Sequence, residues 1–332
     1  MVEMAEEREI PAKRYYSFNQ FLRERFGERV YKISIDAGFA CPNRDGTRGV
    51  GGCIYCNNQG FSPNTRKPPI PVREQVVSGA EYLSRRYKAR KFIAYFQAYT
   101  NTYAPVEKLK ELYDEALEHP TVVGLSIGTR PDCVPDPILD LLAGYAGKYH
   151  VWLELGLQSC HDRTLRIINR GHTVAEFTDA VQRAQRRQNL FICAHVILGL
   201  PGESRTEMLA SAYFLSDSGV QGVKIHLMHI LKDTPAEETY RQGKLKVFTM
   251  DEYVNLVCDY IERLDPAIVI QRLTADAPPD ILVAPQWANR KKETIARIEK
   301  ELTRRGTWQG ARRKTTGFKT ADIERKASGI RL

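Results

Sequence analysis

The chain has 332 residues, of which 42% are apolar, enough to bury one large core or two smaller ones. No stretch approaches the run of about 18 apolar residues that a membrane helix needs, and the charged N-terminal segment has no apolar signal-peptide core. The net charge is +9, and residues 290–332 alone hold fourteen Lys/Arg against five Asp/Glu, so the rest of the chain is neutral. These features predict a soluble, cytoplasmic protein without a membrane partner.

Short apolar runs alternate with longer amphipathic stretches from residue 31 onward, after an N-terminal extension at residues 1–30 with a helix at Phe18–Phe26. The predicted strands are Tyr31–Ile35, Phe92–Gln97, Val122–Ile127, Val151–Leu155, Phe191–Leu198 and Gly222–Leu227. The predicted helices are Val72–Lys88, Val106–Glu118, Pro137–Ala146, Thr173–Arg187, Arg205–Ser218 and Met250–Leu264. The last of these helices has Thr249 as its expected N-cap and Glu252 three residues later.

Strands that alternate with helices in this way predict βαβ units, a parallel sheet and an α/β fold. The pattern fits a partial TIM-type barrel of six strands, and it fits a doubly wound open sheet equally well. We expect a core at residues 31–275, followed by a closing segment and basic tail at 276–332 that contains a helix at Lys291–Arg304. The basic excess of this tail suits a polyanionic partner such as RNA, although a solvated tail would have the same composition.

Seven cysteines are present, and three of them, Cys41, Cys53 and Cys56, lie within sixteen residues. The other four are isolated, and we expect them to be small buried apolar side chains. The three crowded cysteines follow the first strand with the spacing Cys-x11-Cys-x2-Cys, in a loop that contains five glycines. A zinc site needs four ligands, whereas three thiolates on an iron–sulfur cluster leave one iron open for chemistry. From this loop alone, a cluster, a zinc site and unrelated cysteines all remain possible.

Four groups of residues carry a resemblance to a known family. The cysteine loop, with Tyr55 before its last cysteine, resembles that of radical S-adenosylmethionine (SAM) enzymes. Later strand ends resemble those of the elongator catalytic subunit and its relatives, at Ser126–Asp132, Glu154–Ser159 with Ile168–Thr173, and His195–Glu203. Further segments resemble the YhcC/YtqA-type radical SAM proteins, namely Tyr15–Asn19, Ile225–Lys232 and Ala284–Trp287 together with the eleven-residue cysteine gap. The resemblance extends over roughly residues 15–310.

This resemblance implies a partial (β/α)6 barrel, a 4Fe-4S cluster on Cys41, Cys53 and Cys56, and SAM on the open iron. An electron from the cluster would cleave SAM to a 5′-deoxyadenosyl radical, and the electron donor would be a protein such as flavodoxin or ferredoxin. The expected SAM contacts are Tyr55, Gln97, Thr100, Ser126, Glu154, Gln158, Arg170 and Gly199. The second strand lacks the usual Gly-Gly-Glu of the superfamily, and Gln97 and Thr100 stand where it is expected.

Several of these residues have an alternative structural interpretation. A carboxylate at Glu154, inside a strand, needs a cationic partner, which would be either the SAM ammonium group or a barrel arginine. Arg170 would either bind a SAM carboxylate or ribose or lie on a helix surface. His195, Lys224, His226 and His229 are candidates for the cavity wall, although lone histidines are more often structural. Position alone suggests that Arg272, Asp276 and Trp287 close the open side of the barrel.

The substrate is predicted from the tail and from the resemblance. Lys and Arg in the C-terminal region would contact phosphates, and Trp308 and Phe318 would stack on bases. The elongator catalytic subunit and the YtqA-type proteins are associated with wobble-uridine modification, so the resemblance implies tRNA as the substrate. The alternatives are a radical SAM enzyme acting on a small metabolite or a protein side chain, and a zinc-stabilised RNA-binding protein without catalysis.

Overall fold

The computed structural model describes residues 13–60, 63–66, 68 and 70–313. The strands are β1 (Val30–Ile35), β2 (Lys91–Phe96), β3 (Val122–Thr129), β4 (His150–Gln158), β5 (Leu190–Leu198), β6 (Gly222–Leu227), β7 (Ile230–Leu231), β8 (Val269–Arg272) and β9 (Leu282–Ala284). The helices are α1 (Phe18–Phe26), α2 (Val72–Tyr87), α3 (Val106–Leu117), α4 (Asp136–Ala146), α5 (Asp162–Ile167), α6 (Val174–Gln185), α7 (Arg205–Ser218), α8 (Pro235–Arg241), α9 (Met250–Arg263) and α10 (Lys291–Arg304). Within these ranges no helix has both the length and the apolar character required to span a bilayer.

Seven parallel strands form the main sheet in the order β1-β2-β3-β4-β5-β6-β8, and the sheet curls into a half-barrel. The two edge strands approach each other across the interior, since Lys32 Nζ of β1 donates to Gln271 Oε1 of β8 at 3.0 Å. The partial TIM-type barrel is therefore confirmed, and the open-sheet alternative is not what forms. A separate antiparallel pair consists of β7 and β9.

The predicted strands and long helices are present, and their ends differ from the predicted bounds by three residues or fewer. Thr249 and Glu252 form the expected reciprocal capping box at the start of α9. The seventh strand, β8, was not predicted because it has only four residues and ends in the polar pair Gln271-Arg272. The helices α5 and α8 were also not predicted, since six or seven residues are too few for a periodic signal.

The helices cover the outer face of the sheet with apolar side chains. The aromatic rings of Tyr113, Phe177, Tyr253 and Tyr260 are fully buried in this layer. The isolated cysteines, which are Cys133, Cys160, Cys193 and Cys258, are also buried and unpaired, as the sequence predicted. Because the apolar side chains pack on the outer face of the sheet, polar side chains can occupy the barrel interior and the carboxyl ends of its strands.

The helix α1 closes the amino-terminal end of the barrel. Its rings at Phe18 and Phe21 pack edge-on against Trp152 of β4, at 6.1 and 5.6 Å between ring centroids. The preceding segment extends the sheet edge, because Ile270 N of β8 donates to Tyr16 O at 2.8 Å. Access to the barrel interior is therefore from the opposite end.

The basic C-terminal segment folds back onto α9 as far as the structure describes it. Arg305 forms ion pairs with Asp259 at 2.7 Å and with the buried Glu262 at 3.2 Å. Further pairs to α9 and the turn after it are Arg297–Asp251, Arg312–Glu262 and Arg313–Asp265. Much of the positive charge of this segment is thus neutralised within the fold. Phe318, an expected stacking residue, lies outside the described residues.

Candidate functional site

A cavity of about 620 Å³ opens at the carboxyl ends of the barrel strands. Its wall combines the cysteine loop after β1, the ends of β2 to β6, and the segment that follows β8. This position is where α/β barrels hold their active sites, and the volume lies in the range of about 300–1,000 Å³ typical of ligand sites.

The three clustered cysteines all reach this cavity, Cys53 being buried and Cys41 and Cys56 half-buried. Gly52 fixes the path of the loop, because its φ of +80° is a left-handed conformation and an added Cβ would lie 3.1 Å from Arg44. Asn169 Nδ2 donates to the Gly52 carbonyl at 2.7 Å. The loop is therefore anchored to the connection between α5 and α6.

Polar hydrogens point at the cysteine sulfur atoms. Asn43 Nδ2 and Arg170 Nη1 donate to Cys53 Sγ at 3.6 and 3.8 Å, and Arg44 Nη1 donates to Cys56 Sγ at 3.9 Å. Burial and the neighbouring Cys53 raise the pKa of the Cys56 thiol to about 12, and the Arg44 guanidinium opposes this rise. Donors of this kind favour the thiolate form that binds iron, and hydrogen bonds to sulfur tune iron–sulfur clusters.

The three cysteines offer a set of donors that fits an iron–sulfur cluster. No three Cys, His, Asp or Glu side chains in the described part of the chain are grouped so as to hold one metal ion. Cys41, Cys53 and Cys56 would hold such a cluster, which would supply an open iron for SAM. Three thiols in one cavity wall, with amide and guanidinium donors directed at two of them, suit that arrangement.

Five of the predicted SAM contacts line the same cavity, namely Tyr55, Gln97, Thr100, Gln158 and Arg170. Two of them carry buried polar atoms without a partner among the described residues, the hydroxyl Oγ1 of Thr100 and Nε of Arg170. A buried polar atom without a partner is destabilising, so such atoms in a cavity wall indicate a ligand that satisfies them. Gln97 is already engaged, because its amide donates to Ser34 Oγ.

The end of β2 has an unusual backbone where the superfamily has Gly-Gly-Glu. Ala98 and Tyr99 adopt φ values of 66° and 61°, a left-handed conformation that non-glycine residues rarely take in succession. Thr100 N then donates to Ala40 O of the cysteine loop at 3.2 Å. This turn places Thr100 in the wall beside the cysteines without the usual glycines.

Glu154 lies beneath the cavity and does not line it. Its carboxylate accepts hydrogen bonds from Lys32 Nζ at 2.6 Å and His195 Nε2 at 2.8 Å, and also from Ser126 and Lys224. Burial alone would raise the pKa of Glu154, but Lys224 and Lys32 outweigh it and hold the pKa well below its usual value. These contacts match the structural alternative, with two lysines in place of the expected arginine.

Ser126, Lys224 and Gly199 also lie away from the cavity wall. Lys224 donates to Tyr95 OH at 2.9 Å as well as to Glu154. Gly199 has a φ of +93°, and an added Cβ would lie 2.9 Å from the ring of Phe248. A SAM contact by these residues, as by Glu154, remains a prediction that their positions do not favour.

The predicted cavity histidines are brought together. His195, His226 and His229 all line the wall, and the rings of His195 and His226 are 5.3 Å apart. Burial lowers the pKa of His195 to about 4, so its imidazole is neutral at physiological pH. Arg272 and Asp276 also line the cavity, whereas Trp287 donates to the Phe248 carbonyl at 2.9 Å and packs on Tyr253 instead.

Other wall residues were not identified from the sequence. Arg130 lies in a motif that the sequence singled out, and it pairs with Asp132 through two N–H groups at 2.9 Å. Tyr99 lies at the rim and is 40% exposed. Lys32, below the cavity, could have been identified from the sequence, because a lysine inside an otherwise apolar strand needs a buried partner.

Comparisons with known proteins agree with this geometry. Residues 41–215 match the radical SAM superfamily, and residues 220–304 match the radical SAM C-terminal domain. The chain is 43% identical over 298 residues to the uncharacterized protein YtqA of Bacillus subtilis, covering 90% of this chain and 92% of the relative. It is 39% identical over 290 residues to the protein YhcC of Escherichia coli K12, covering 87% and 92%.

More distant similarity links the chain to elongator proteins. It is 29% identical over 159 residues to Elongator complex protein 3 of Schizosaccharomyces pombe, covering 47% of this chain and 28% of that protein. The solved structure of the archaeal Elp3 of Methanocaldococcus infernus has a TM-score of 0.62 at 18% identity, covering 84% of this chain and 64% of the other. The chain thus spans less than two thirds of these proteins, and the structural likeness concerns the fold.

The chain belongs to the radical SAM superfamily, and within it to the family of the YtqA and YhcC proteins. This superfamily uses a 4Fe-4S cluster and SAM, so the zinc alternative does not apply. Cys41, Cys53 and Cys56 remain the predicted ligands of the cluster.

Proposed function

We propose that this radical SAM enzyme modifies a tRNA nucleoside, at the wobble uridine, with the target base held in the cavity beside the cofactor. The observation that carries the proposal is the composition of the cavity wall. Beyond the cysteines and the unsatisfied donors expected to meet SAM, the wall has a second set of polar residues, His195, His226 and Arg272, and the exposed ring of Tyr99 at its rim. An exposed aromatic ring beside hydrogen-bonding groups suits an unstacked base.

When bound, the cluster and SAM supply a 5′-deoxyadenosyl radical that abstracts a hydrogen atom from the substrate. The protein contributes position and enclosure. Asn43, Arg44 and Arg170 direct donors at the sulfur atoms, and the unsatisfied Thr100 hydroxyl and Arg170 Nε are available to the SAM carboxylate. The packing of α1 against the barrel end keeps water out of the interior from that side.

The basic C-terminal region supports an RNA partner, but fewer of its cations are free to contact phosphates than its composition suggests. Arginines of α10 and the following turn are paired with acidic groups of the fold, so they are poorly available to phosphates. Among the described residues of α10, Lys292 and Lys300 are exposed and form no ion pair. Residues 314–332 add five Lys/Arg against two Asp/Glu. We therefore assign the RNA affinity mainly to the chain beyond Arg313.

The similarity to Elongator complex protein 3 supports the choice of wobble uridine, because the resemblance to the elongator catalytic subunit implies that chemistry. The matched part covers 47% of this chain. The tRNA substrate and the wobble position are taken from this similarity and belong to the proposal.

Nucleoside profiling of tRNA from cells lacking the protein tests the proposal. We expect one wobble nucleoside to be lost or replaced by a precursor. The wild-type gene and Cys258→Ala should restore it, since Cys258 is buried between α9 and α10, whereas Cys53→Ala should not. An unchanged tRNA profile would remove tRNA as the substrate and favour a metabolite or a protein side chain.

A further inference from the structure

We propose that the β6–β8 side of the cavity is an oxyanion subsite in which Arg272 binds an anionic group of the substrate. The inference rests on the proposed function, since it names the chemistry by which the target nucleoside is recognised. Arg272 is the last residue of β8 and pairs in register with Lys224 of β6. Its side chain forms part of the cavity wall.

The guanidinium of Arg272 has its donors unused. No carboxylate, carbonyl or hydroxyl of the described residues accepts a hydrogen bond from it. The other arginines of the wall differ in this respect. Arg44 donates to Cys56 Sγ at 3.9 Å, Arg130 is held by Asp132, and Arg170 donates to the Gly156 carbonyl at 2.9 Å. A planar guanidinium with free donors matches the two oxygens of a carboxylate or phosphate.

The charges around Arg272 are not balanced by the protein. Lys32 and Lys224 both donate to one buried carboxylate, that of Glu154, and burial lowers the pKa of both lysines. This carboxylate is therefore already engaged and does not pair with the nearby guanidinium of Arg272. Asp276, the other acid of this side of the wall, is exposed and lies 3.5 Å from Lys291. A local positive excess in a cleft attracts an anion. A bound anion would supply the missing charge.

His226 adds a second donor on the neighbouring strand. It lies two residues beyond Lys224 on β6, hence on the same face, and its buried Nε2 has no partner among the described residues. Burial and the nearby Arg272 hold the pKa of His226 well below its usual value, so the ring is neutral. A neutral imidazole can donate one hydrogen bond to an oxyanion without adding charge.

Two sources of an oxyanion fit this subsite. One is the phosphate of the target nucleotide, and the other is a carboxylate attached to its base. The same donors would bind either group. The cavity wall by itself therefore indicates an oxyanion and does not distinguish a phosphate from a carboxylate. Inorganic phosphate and acetate are simple probes that represent the two sources.

Isothermal titration calorimetry of the reconstituted full chain with SAM tests the subsite directly. We expect one of the two anions to bind, Arg272→Met to weaken that binding about tenfold or more, and Arg272→Lys to retain part of it. Lys108→Met, at an exposed lysine on α3 that is not part of the cavity wall, should bind as the wild type does. Stronger binding of phosphate indicates the nucleotide phosphate, and stronger binding of acetate indicates a carboxylate on the base. The proposal is overturned if neither anion binds, or if Arg272→Met binds like the wild type.

A tRNA assay separates this inference from the proposed function. If the wild type does not modify tRNA but Arg272→Met still loses the anion, the subsite stands and the proposed function fails. If the wild type modifies tRNA and Arg272→Met does so with unchanged KM and kcat, the subsite is refuted and the proposed function stands.

Discussion

Arg170 donates a hydrogen bond to Cys53 Sγ at 3.8 Å although the two residues are 117 positions apart in the chain. Burial works against the charge of Arg170, but Cys53 and Tyr55 raise its pKa above its usual value, so it stays cationic. We expect Cys53 to bind the cluster, and a fixed positive charge beside its sulfur would favour the reduced cluster, which is the more negative state.

We therefore expect Arg170→Met to lower the reduction potential of the cluster, because the positive charge and the hydrogen bond are both lost. The shift should be about 60 mV, a tenfold change in a one-electron equilibrium, and Arg170→Lys should show a smaller one. A redox titration followed by electron paramagnetic resonance measures it. Arg163→Met, an exposed arginine on α5, is the matched control. Equal potentials in Arg170→Met and the control would refute the role.

The network below the cavity makes a prediction about stability. Glu154→Gln removes the carboxylate that Lys32 and Lys224 share and leaves two buried lysines, whose pKa burial already lowers, without a counter-charge. We expect a loss of about 3 kcal/mol in the free energy of unfolding, measured by urea denaturation. Glu81→Gln, at an exposed position on α2, should change it by less than about 0.5 kcal/mol. A similarly small change for Glu154→Gln would show that Lys32 and Lys224 do not require the negative charge of Glu154 for the stability of the fold.

The buried histidines predict a pH dependence of stability. Burial lowers the pKa of His150 and His172 to about 3 and that of His195 to about 4, against about 6.5 in the unfolded chain. Between these limits the unfolded chain binds protons that the native state does not, so the free energy of unfolding falls as the pH falls from about 6.5 to about 4.

His150→Phe should reduce this slope. Both ring nitrogens of His150 are buried without a partner among the described residues, and its ring packs against Phe191 at 4.7 Å. A phenyl ring keeps the packing and removes one titrating group, which contributes at most about 1.4 kcal/mol per pH unit. Urea denaturation at a series of pH values measures the slope. An unchanged slope would mean that the pKa of His150 is the same in the native and unfolded states.

Removal of residues 314–332 should lower the affinity for tRNA, and the remaining affinity should depend less steeply on salt concentration. Each phosphate contact contributes about 0.7–0.9 to the slope of log K against log salt, so losing a few contacts should lower the slope by about 2 to 4. The ion pairs of Arg305, Arg312 and Arg313 remain, so the thermal midpoint should not change. Binding that is unchanged by the truncation would place the RNA contacts elsewhere on the chain.

Local sequence signals predicted the parts of this protein that depend on local chemistry. The spacing of Cys41, Cys53 and Cys56 and the alternation of strands and helices can both be read from short stretches of sequence. Together they predicted the cysteine loop and the barrel strands that form the cavity. The partners of Glu154 could not be predicted in this way, since Lys32 and Lys224 are 122 and 70 residues away. Pairing of this kind depends on the curl of the sheet, which periodicity does not encode.

The tail is a second case in which composition was insufficient. Fourteen Lys/Arg in residues 290–332 suggested one basic surface, yet Arg305 is bound to Asp259, 46 residues earlier. Charge counts do not tell which cations are already paired. Similarly, Arg272 was expected only to close the barrel, and its unused donors became evident from the wall that surrounds it.

The most direct test of the central claim is the release of 5′-deoxyadenosine by the anaerobically reconstituted full chain with SAM, a reductant and tRNA from cells lacking the protein. We expect the wild type to form 5′-deoxyadenosine and Cys53→Ala to form none. We expect tRNA from cells lacking the protein to increase the amount, and tRNA from wild-type cells to increase it less. No 5′-deoxyadenosine from the wild type, or an amount that neither tRNA changes, would contradict the central claim.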